Sequence, residues 1–157
     1  MRPGLLPAID ERVLHAGDAT ASVREIAHTA DIGFEVEAPT MEALFERAAL
    51  GLSAAIADLD GVAARERRTV TVAAVDRTAL LHDFLHAILL LGQVEGFLVS
   101  GVEVQAIDGE AVRAVVVGEP VDPARHRLHG EVKAVTWHGL AVEHTGAGWH
   151  ARVLLDV

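Results

Sequence analysis

The chain of 157 residues contains no cysteine and few aromatic residues. Without cysteine it can form neither a disulfide framework nor a thiolate zinc site, and a cysteine nucleophile is excluded. Half of its residues are apolar and charged residues are not depleted, which is typical of a globular protein with its own core. At this length a single domain is expected.

Positive charge is also scarce. Thirteen Lys and Arg stand against 23 Asp and Glu, for a net charge of −10. Such a surface repels a nucleic-acid backbone, so no direct stable nucleic-acid binding is expected. A basic protein partner or a cation suits this composition better.

Long apolar runs are missing as well. No stretch reaches the roughly 18 apolar residues of a membrane span, and the first ten residues contain no apolar run of signal-peptide length. We therefore expect a cytoplasmic protein without a membrane partner. Glycine-rich phosphate loops and a Gly-x-Ser-x-Gly turn are absent too, which argues against nucleotide binding by a known loop and against an elbow-type serine nucleophile.

The apolar pattern predicts an α+β fold. Residues 1–22 show no sustained period and are expected to form a poorly ordered N-terminal extension, whereas residues 23–157 form the domain. Period-2 alternation and helical spacing then predict the following elements: a strand at 31–38, a helix capped by Thr40 and running to about 57, a strand at 69–72, a helix capped by Asp76 and running to about 93, strands at 97–107 and 111–117 joined by an Asp-Gly hairpin turn, a strand at 132–142, and a strand that reaches the last residue. The order favours a single two-layer domain, with two helices packed on a mostly antiparallel sheet. The second helix has the broader apolar face, so we expect it to be the more deeply buried.

The last strand carries two oxygen donors at its end. Its alternation continues to the final residue, which predicts that the terminus is tied down. The side chain of Asp156 and the terminal carboxylate of Val157 then lie within a few ångströms of each other. These are hard ligands suited to a divalent cation, and such a site needs a third ligand from elsewhere.

Two histidines one helical turn apart offer a competing site. His82 and His86 flank Asp83 in a spacing close to the His-Glu-x-x-His motif of zinc proteases, which makes a metal-dependent hydrolase the alternative function. An aspartate is one methylene shorter than the glutamate that works the zinc-bound water. The competing interpretation is that His82, Asp83 and His86 form the solvated stripe of a buried helix.

Three short segments resemble the signatures of a known family. They are His-Thr-Ala-Asp-Ile-Gly at 28–33 with the helix that follows it, Glu-Val-Lys-Ala-Val-Thr-Trp-His at 131–138, and Val-Leu-Leu-Asp-Val at 153–157. Together, and in this order, they resemble the archease family from about residue 23 to the end. Trp137 stands where that family often has tyrosine, and His82 and His86 match no family role.

The resemblance implies a function and a set of residues. Archeases are activators, not enzymes: they promote guanylylation and turnover of the RtcB-type RNA-splicing ligase, which uses GTP to join RNA 3′-phosphate or 2′,3′-cyclic phosphate ends to 5′-hydroxyl ends. The family's metal-binding positions correspond to Asp31, Asp156 and Val157, and its functional lysine corresponds to Lys133. His28, in the first signature, is the other candidate for ligase activation. The implied cofactor is a divalent ion (Ca²⁺, Mg²⁺ or Mn²⁺), and the implied partner is the ligase. A chaperone-like module without metal chemistry is a third possibility.

Overall fold

The computed structural model describes residues 31–157. Its helices are α1 (Met41–Ile56) and α2 (Arg77–Glu95), with a short 3₁₀ helix at Leu59–Gly61, and its strands are β1 (Ile32–Ala38), β2 (Glu66–Ala73), β3 (Phe97–Ile107), β4 (Ala111–Pro120), β5 (Ala134–Val135), β6 (Ala141–Thr145) and β7 (Gly148–Asp156). The predicted extension at 1–22, the domain boundary at residue 23 and the candidate His28 lie outside the described residues, so they stay predictions.

The two helices begin where their capping residues predict. The Thr40 hydroxyl accepts a hydrogen bond from the Ala43 N–H at 3.1 Å, and the Asp76 carboxylate accepts one from the Ala79 N–H at 2.8 Å. Each cap satisfies a backbone donor that the first turn of a helix leaves unpaired. At the other end of α2, Gly96 adopts a left-handed conformation with φ of 65°, a backbone position that glycine takes without strain and that ends many helices.

The strands form two antiparallel sheets. In the four-stranded sheet, β7 pairs with β1 along one edge and with β6 and β5 along the other. The three-stranded sheet has β4 between β2 and β3. The α+β class, with two helices on antiparallel strands, is therefore confirmed, and the strands are divided between two sheets.

Both helices contact both sheets. α1 lies against β1 and β7 of the larger sheet and β3 of the smaller one, while α2 contacts all strands of the smaller sheet together with β5 and β6. The helices meet through Phe45 and Phe84, whose ring centroids are 5.5 Å apart. Nine of the 16 residues of α1 are buried, against six of the 19 residues of α2. The expectation that the second helix is the more deeply buried is wrong, since the shorter α1 has the larger number of buried residues.

The predicted strand at 132–142 is interrupted. Val135 lies opposite Leu155 and Ala141 lies opposite Arg152, so six residue steps on this edge face only three on β7. The additional residues on this edge form a turn outside the ladder. In this turn Gly139 has a φ of 70°, and the Leu140 N–H donates to the Trp137 carbonyl at 3.3 Å. Alternation alone cannot reveal this turn, because apolar and polar residues continue to alternate through much of it.

A buried carboxylate organises the polar segment after β4. Glu119 accepts hydrogen bonds from the Arg125 guanidinium at 2.6 Å, the Ala63 N–H at 2.7 Å and His126 Nε2 at 2.9 Å. His126 Nδ1 in turn accepts the Asp122 N–H at 2.8 Å, which leaves the ring hydrogen on Nε2. The sequence pattern gave no sign of this cluster, since its members are far apart or lie in a polar loop.

The cluster predicts an acid-sensitive contribution to stability. Hydrogen bonds from Arg125, from the Ala63 N–H and from His126 lower the pKa of Glu119 from 4.5 to about 2. Because the folded pKa is below the unfolded one, this stabilisation is complete above pH 4.5 and is lost as the pH falls toward 2. Chemical denaturation of the wild-type chain and of Glu119→Gln at a series of pH values checks this. The wild-type free energy of unfolding should fall more steeply across that window, and parallel curves would contradict the assignment.

Candidate functional site

The predicted acidic residues lie at one end of the four-stranded sheet. β1 begins there and β7 ends there, with Ile32 opposite Leu155 as the last pair of the antiparallel register. Continued by one residue, this register sets Asp31 across from Asp156. Directly opposed residues share a face of the sheet, with Cβ atoms about 5 Å apart. Asp31, Asp156 and Val157 are all half-buried.

Lys133 lies at the same end of the sheet, on the other side of β7. Its backbone N–H donates to the Asp156 carbonyl at 2.7 Å, and the next residue, Ala134, lies opposite Asp156. The Lys133 side chain is exposed. This end of the sheet thus brings Asp31 together with Lys133 and Asp156, which follow it by 102 and 125 positions in the sequence.

The donor set at this end has the chemistry of a hard-cation site. Two side-chain carboxylates and the terminal carboxylate of Val157 offer only oxygen, which suits Ca²⁺, Mg²⁺ or Mn²⁺ better than copper or structural zinc. Within residues 31–157, no group of three His, Asp or Glu side chains is placed to hold a metal ion. The predicted set has two such side chains, those of Asp31 and Asp156, and its third member is the predicted carboxylate of Val157.

The comparisons with known proteins decide the family. The sequence profile of the Archease protein family matches residues 24–157. The chain belongs to the archease family. The archease of Methanopyrus kandleri is 42% identical over 136 residues, which are 85% of this chain and 97% of that protein.

Solved archease structures have the same fold. Protein 1598 of Methanobacterium thermoautotrophicum, known from a solution structure, is 30% identical, with a TM-score of 0.71 over 87% of this chain and 99% of that one. The Thermotoga maritima crystal structure of an archease, described as a possible chaperone, has a TM-score of 0.60 at 21% identity, covering 85% of this chain and 96% of that one. At that identity the second likeness concerns the fold alone.

The contacts of His82 argue against the alternative hydrolase site. His82 Nδ1 is 2.9 Å from Asp83 Oδ1, and Nε2 is 3.0 Å from the carbonyl oxygen of Val135. Both ring nitrogens therefore face oxygen atoms of the protein at hydrogen-bond distance, so neither is directed toward an open position for zinc. The interpretation as a solvated stripe fits the exposed His86 and the Asp83 side chain, which is 44% exposed. It does not fit His82, whose side chain is only 12% exposed.

Two contacts of this archease were missed at the level of sequence. The ring of Trp137 stacks on that of His82 with centroids 3.7 Å apart, although Trp137 is 56% exposed. Gln93 Nε2 donates to the carbonyls of Val132 and Lys133, both at 3.2 Å. A signal existed: Gln93 follows His82 by eleven positions, close to three helical turns, so both side chains leave α2 on one face.

No helix among residues 31–157 combines the length and the apolar character that crossing a membrane requires.

Proposed function

We propose that this archease is a non-catalytic activator of an RtcB-type RNA-splicing ligase and that it promotes guanylylation of the ligase through the end of the sheet formed by β1, β7 and β5. One observation carries the proposal. Asp31, Lys133 and Asp156 come from three separate sequence signatures, and the strand register brings them to one place. Side chains that only solvate a surface have no need to converge in this way.

The chemistry of the site supports an assisting role rather than catalysis on RNA. The proposed ligands are carboxylates, and the exposed Lys133 lies beside them. The chain has a net charge of −10, which favours a basic protein surface over an RNA backbone. The Thermotoga maritima relative is described as a possible chaperone, and an activator that prepares another enzyme is compatible with that description.

A divalent ion is the proposed cofactor. Asp31, Asp156 and the terminal carboxylate of Val157 would hold it, and it would supply a positive charge beside Lys133. Three carboxylate groups leave coordination positions for water or for groups of the partner, because Ca²⁺ takes six to eight oxygen ligands. The half-exposed setting of the donors is consistent with a site that a partner can approach.

The test is GTP-dependent guanylylation of the purified ligase. Replacement of Asp31→Asn, Asp156→Asn or Lys133→Met is expected to lower the stimulation about ten- to a hundredfold, the range that loss of even an outer metal partner produces. Glu110→Gln, in the exposed β3–β4 turn, makes the same charge change away from the site and should stimulate like the wild type. Full stimulation by all three site variants would refute the proposed function.

Metal titration separates the two halves of the proposal. Calorimetry with Ca²⁺, Mg²⁺ and Mn²⁺ should detect binding to the wild-type chain and a loss of affinity in Asp31→Asn and Asp156→Asn. Stimulation that survives in these variants although their metal binding is lost would instead support a chaperone-like module without metal chemistry. Stoichiometric zinc that is lost in His82→Ala would favour the hydrolase.

A further inference from the structure

The strand that directly follows Lys133 has little support from the sheet itself. β5 pairs with β7 over two residues only, Ala134 and Val135. Ladders this short are marginal by themselves, because few hydrogen bonds offset the cost of ordering the backbone. The Lys133 side chain is exposed, so its place depends on where the backbone is held.

Two side chains of α2 provide the missing support. Gln93 Nε2 donates to the carbonyl oxygens of Val132 and Lys133, and His82 Nε2 donates to that of Val135. Without these donors, the three carbonyl oxygens would bond to a further strand or to water. In this protein they accept hydrogen bonds from side chains of α2. On the opposite side, the Lys133 N–H is held by the Asp156 carbonyl. Residues 132–135 are therefore held by β7 on one side and by α2 on the other. We call the hydrogen bonds from Gln93 and His82 to this segment the clamp.

The helix that carries Gln93 and His82 is itself well fixed in the fold. α2 is capped by Asp76 at its start and by Gly96 at its end, and Phe84 and Leu85 are fully buried between the two donors. Trp137 covers the ring of His82, with the two planes 15° apart. This cover shields the hydrogen bond to Val135 from water, which strengthens it.

We propose that Gln93 and His82 are positioning residues that hold Lys133 beside the carboxyl end of β7. The purpose of this clamp rests on the proposed function, in which Lys133 and the carboxylates act together on the ligase. Neither residue belongs to the three sequence signatures. Their role is to fix the backbone at Lys133, so that its exposed side chain is held in a defined place.

The test compares variants of Gln93 that differ in their ability to donate. Gln93→Glu has nearly the same shape but sets a carboxylate against two carbonyl oxygens, whereas Gln93→Lys retains a donor of sufficient length. His82→Phe keeps a ring for Trp137 but removes the donor to Val135. Glu95→Gln is the matched control, because Glu95 lies on the same helix and its partner is Arg68 in β2, away from β5.

Two measurements on the full chain decide the outcome. Exchange of the Lys133 amide hydrogen, followed by NMR, should be roughly tenfold faster in Gln93→Glu and His82→Phe, as expected when one or two net hydrogen bonds are lost. Amides of the β2–β4 ladder should exchange as in the wild type. Stimulation of ligase guanylylation should fall several-fold in the same two variants and be retained in Gln93→Lys and Glu95→Gln.

Other results overturn the proposal. An unchanged Lys133 exchange rate in Gln93→Glu would do so, as would faster exchange that is equally large in the β2–β4 ladder, since that indicates a global effect on stability. Faster local exchange with full stimulation, in a ligase assay where Lys133→Met is inactive, would also contradict it. If Lys133→Met, Asp31→Asn and Asp156→Asn all stimulate fully, the proposed function fails, and the exchange rates still decide whether the clamp exists.

Discussion

Extension of the chain by two glycines beyond Val157 is expected to lower divalent-ion affinity and ligase stimulation together, by at least about tenfold. The added residues convert the Val157 carboxylate into a neutral amide and carry the new carboxylate away from Asp31 and Asp156. A carboxylate is a stronger ligand for a hard cation than an amide oxygen, and the affinity of such sites follows the number of charged ligands. Calorimetric titration and the guanylylation assay measure the two losses.

The control for this extension carries the same two glycines at the other end of the chain. It should bind metal and stimulate the ligase like the wild type. If the C-terminally extended chain is as active as this control, the terminal carboxylate is not a required ligand, and the site is reduced to Asp31, Asp156 and the partner's own groups.

Replacement of Gly118→Ala is expected to destabilise the fold by about 3 kcal/mol or more, at the upper end of the cost of overpacking. Gly118 lies in β4, the central strand of the smaller sheet, beside the irregular register of β3 between Val99 and Gly101. A Cβ atom at this position would lie 1.8 Å from the carbonyl oxygen of Leu98. The obstructing atoms belong to the backbone of β3, which is paired with β4, so relief requires this part of the ladder to open.

Thermal unfolding measures this effect, with an expected fall in the midpoint of roughly 6–12 °C for a chain of this size. Gly130→Ala is the matched control, because a Cβ at Gly130 meets no atom within 4 Å. Its midpoint should stay close to that of the wild type. Equal midpoints for the two variants would show that β3 can move away from Gly118 at little cost.

The helices and most strands could be predicted because their signals are local. Thr40 and Asp76 mark the helix starts that the structure shows, and the Asp-Gly pair at 108–109 forms a turn in which Asp108 accepts the N–H groups of Glu110 and Ala111. Caps and turns depend on residues within three or four positions, so the sequence contains all the information that they need.

The candidate site was predictable in part. The choice of the Asp156 side chain and the Val157 carboxylate followed from the alternation of the last strand. The choice of Asp31 and Lys133 came from the resemblance to the archease family. Their relative position depends on register, and a shift of one residue would turn Asp31 to the other face of β1. The meeting of Asp31 with Asp156 therefore becomes visible only once Ile32 is known to lie opposite Leu155.

Gln93 shows what sequence patterns cannot supply. It ends the predicted second helix as an ordinary polar residue, and its two hydrogen bonds reach residues 39 and 40 positions away. The same is true of Glu119, which reaches back 56 positions to Ala63. Contacts across such distances depend on how the helices and sheets pack, and no local preference encodes them.

The sequence by itself determined the class of the fold, the helix limits, the acidic balance and the chemistry of the donors at the C-terminus, because each of these depends on composition or on neighbours a few positions away. Only the tertiary structure decided the division of the strands into two sheets, the turn that splits the 132–142 segment, and the clamp that holds Lys133. These features depend on strand register and on packing, which bring segments that are distant in the sequence to the same edge of β7 and the same face of α2.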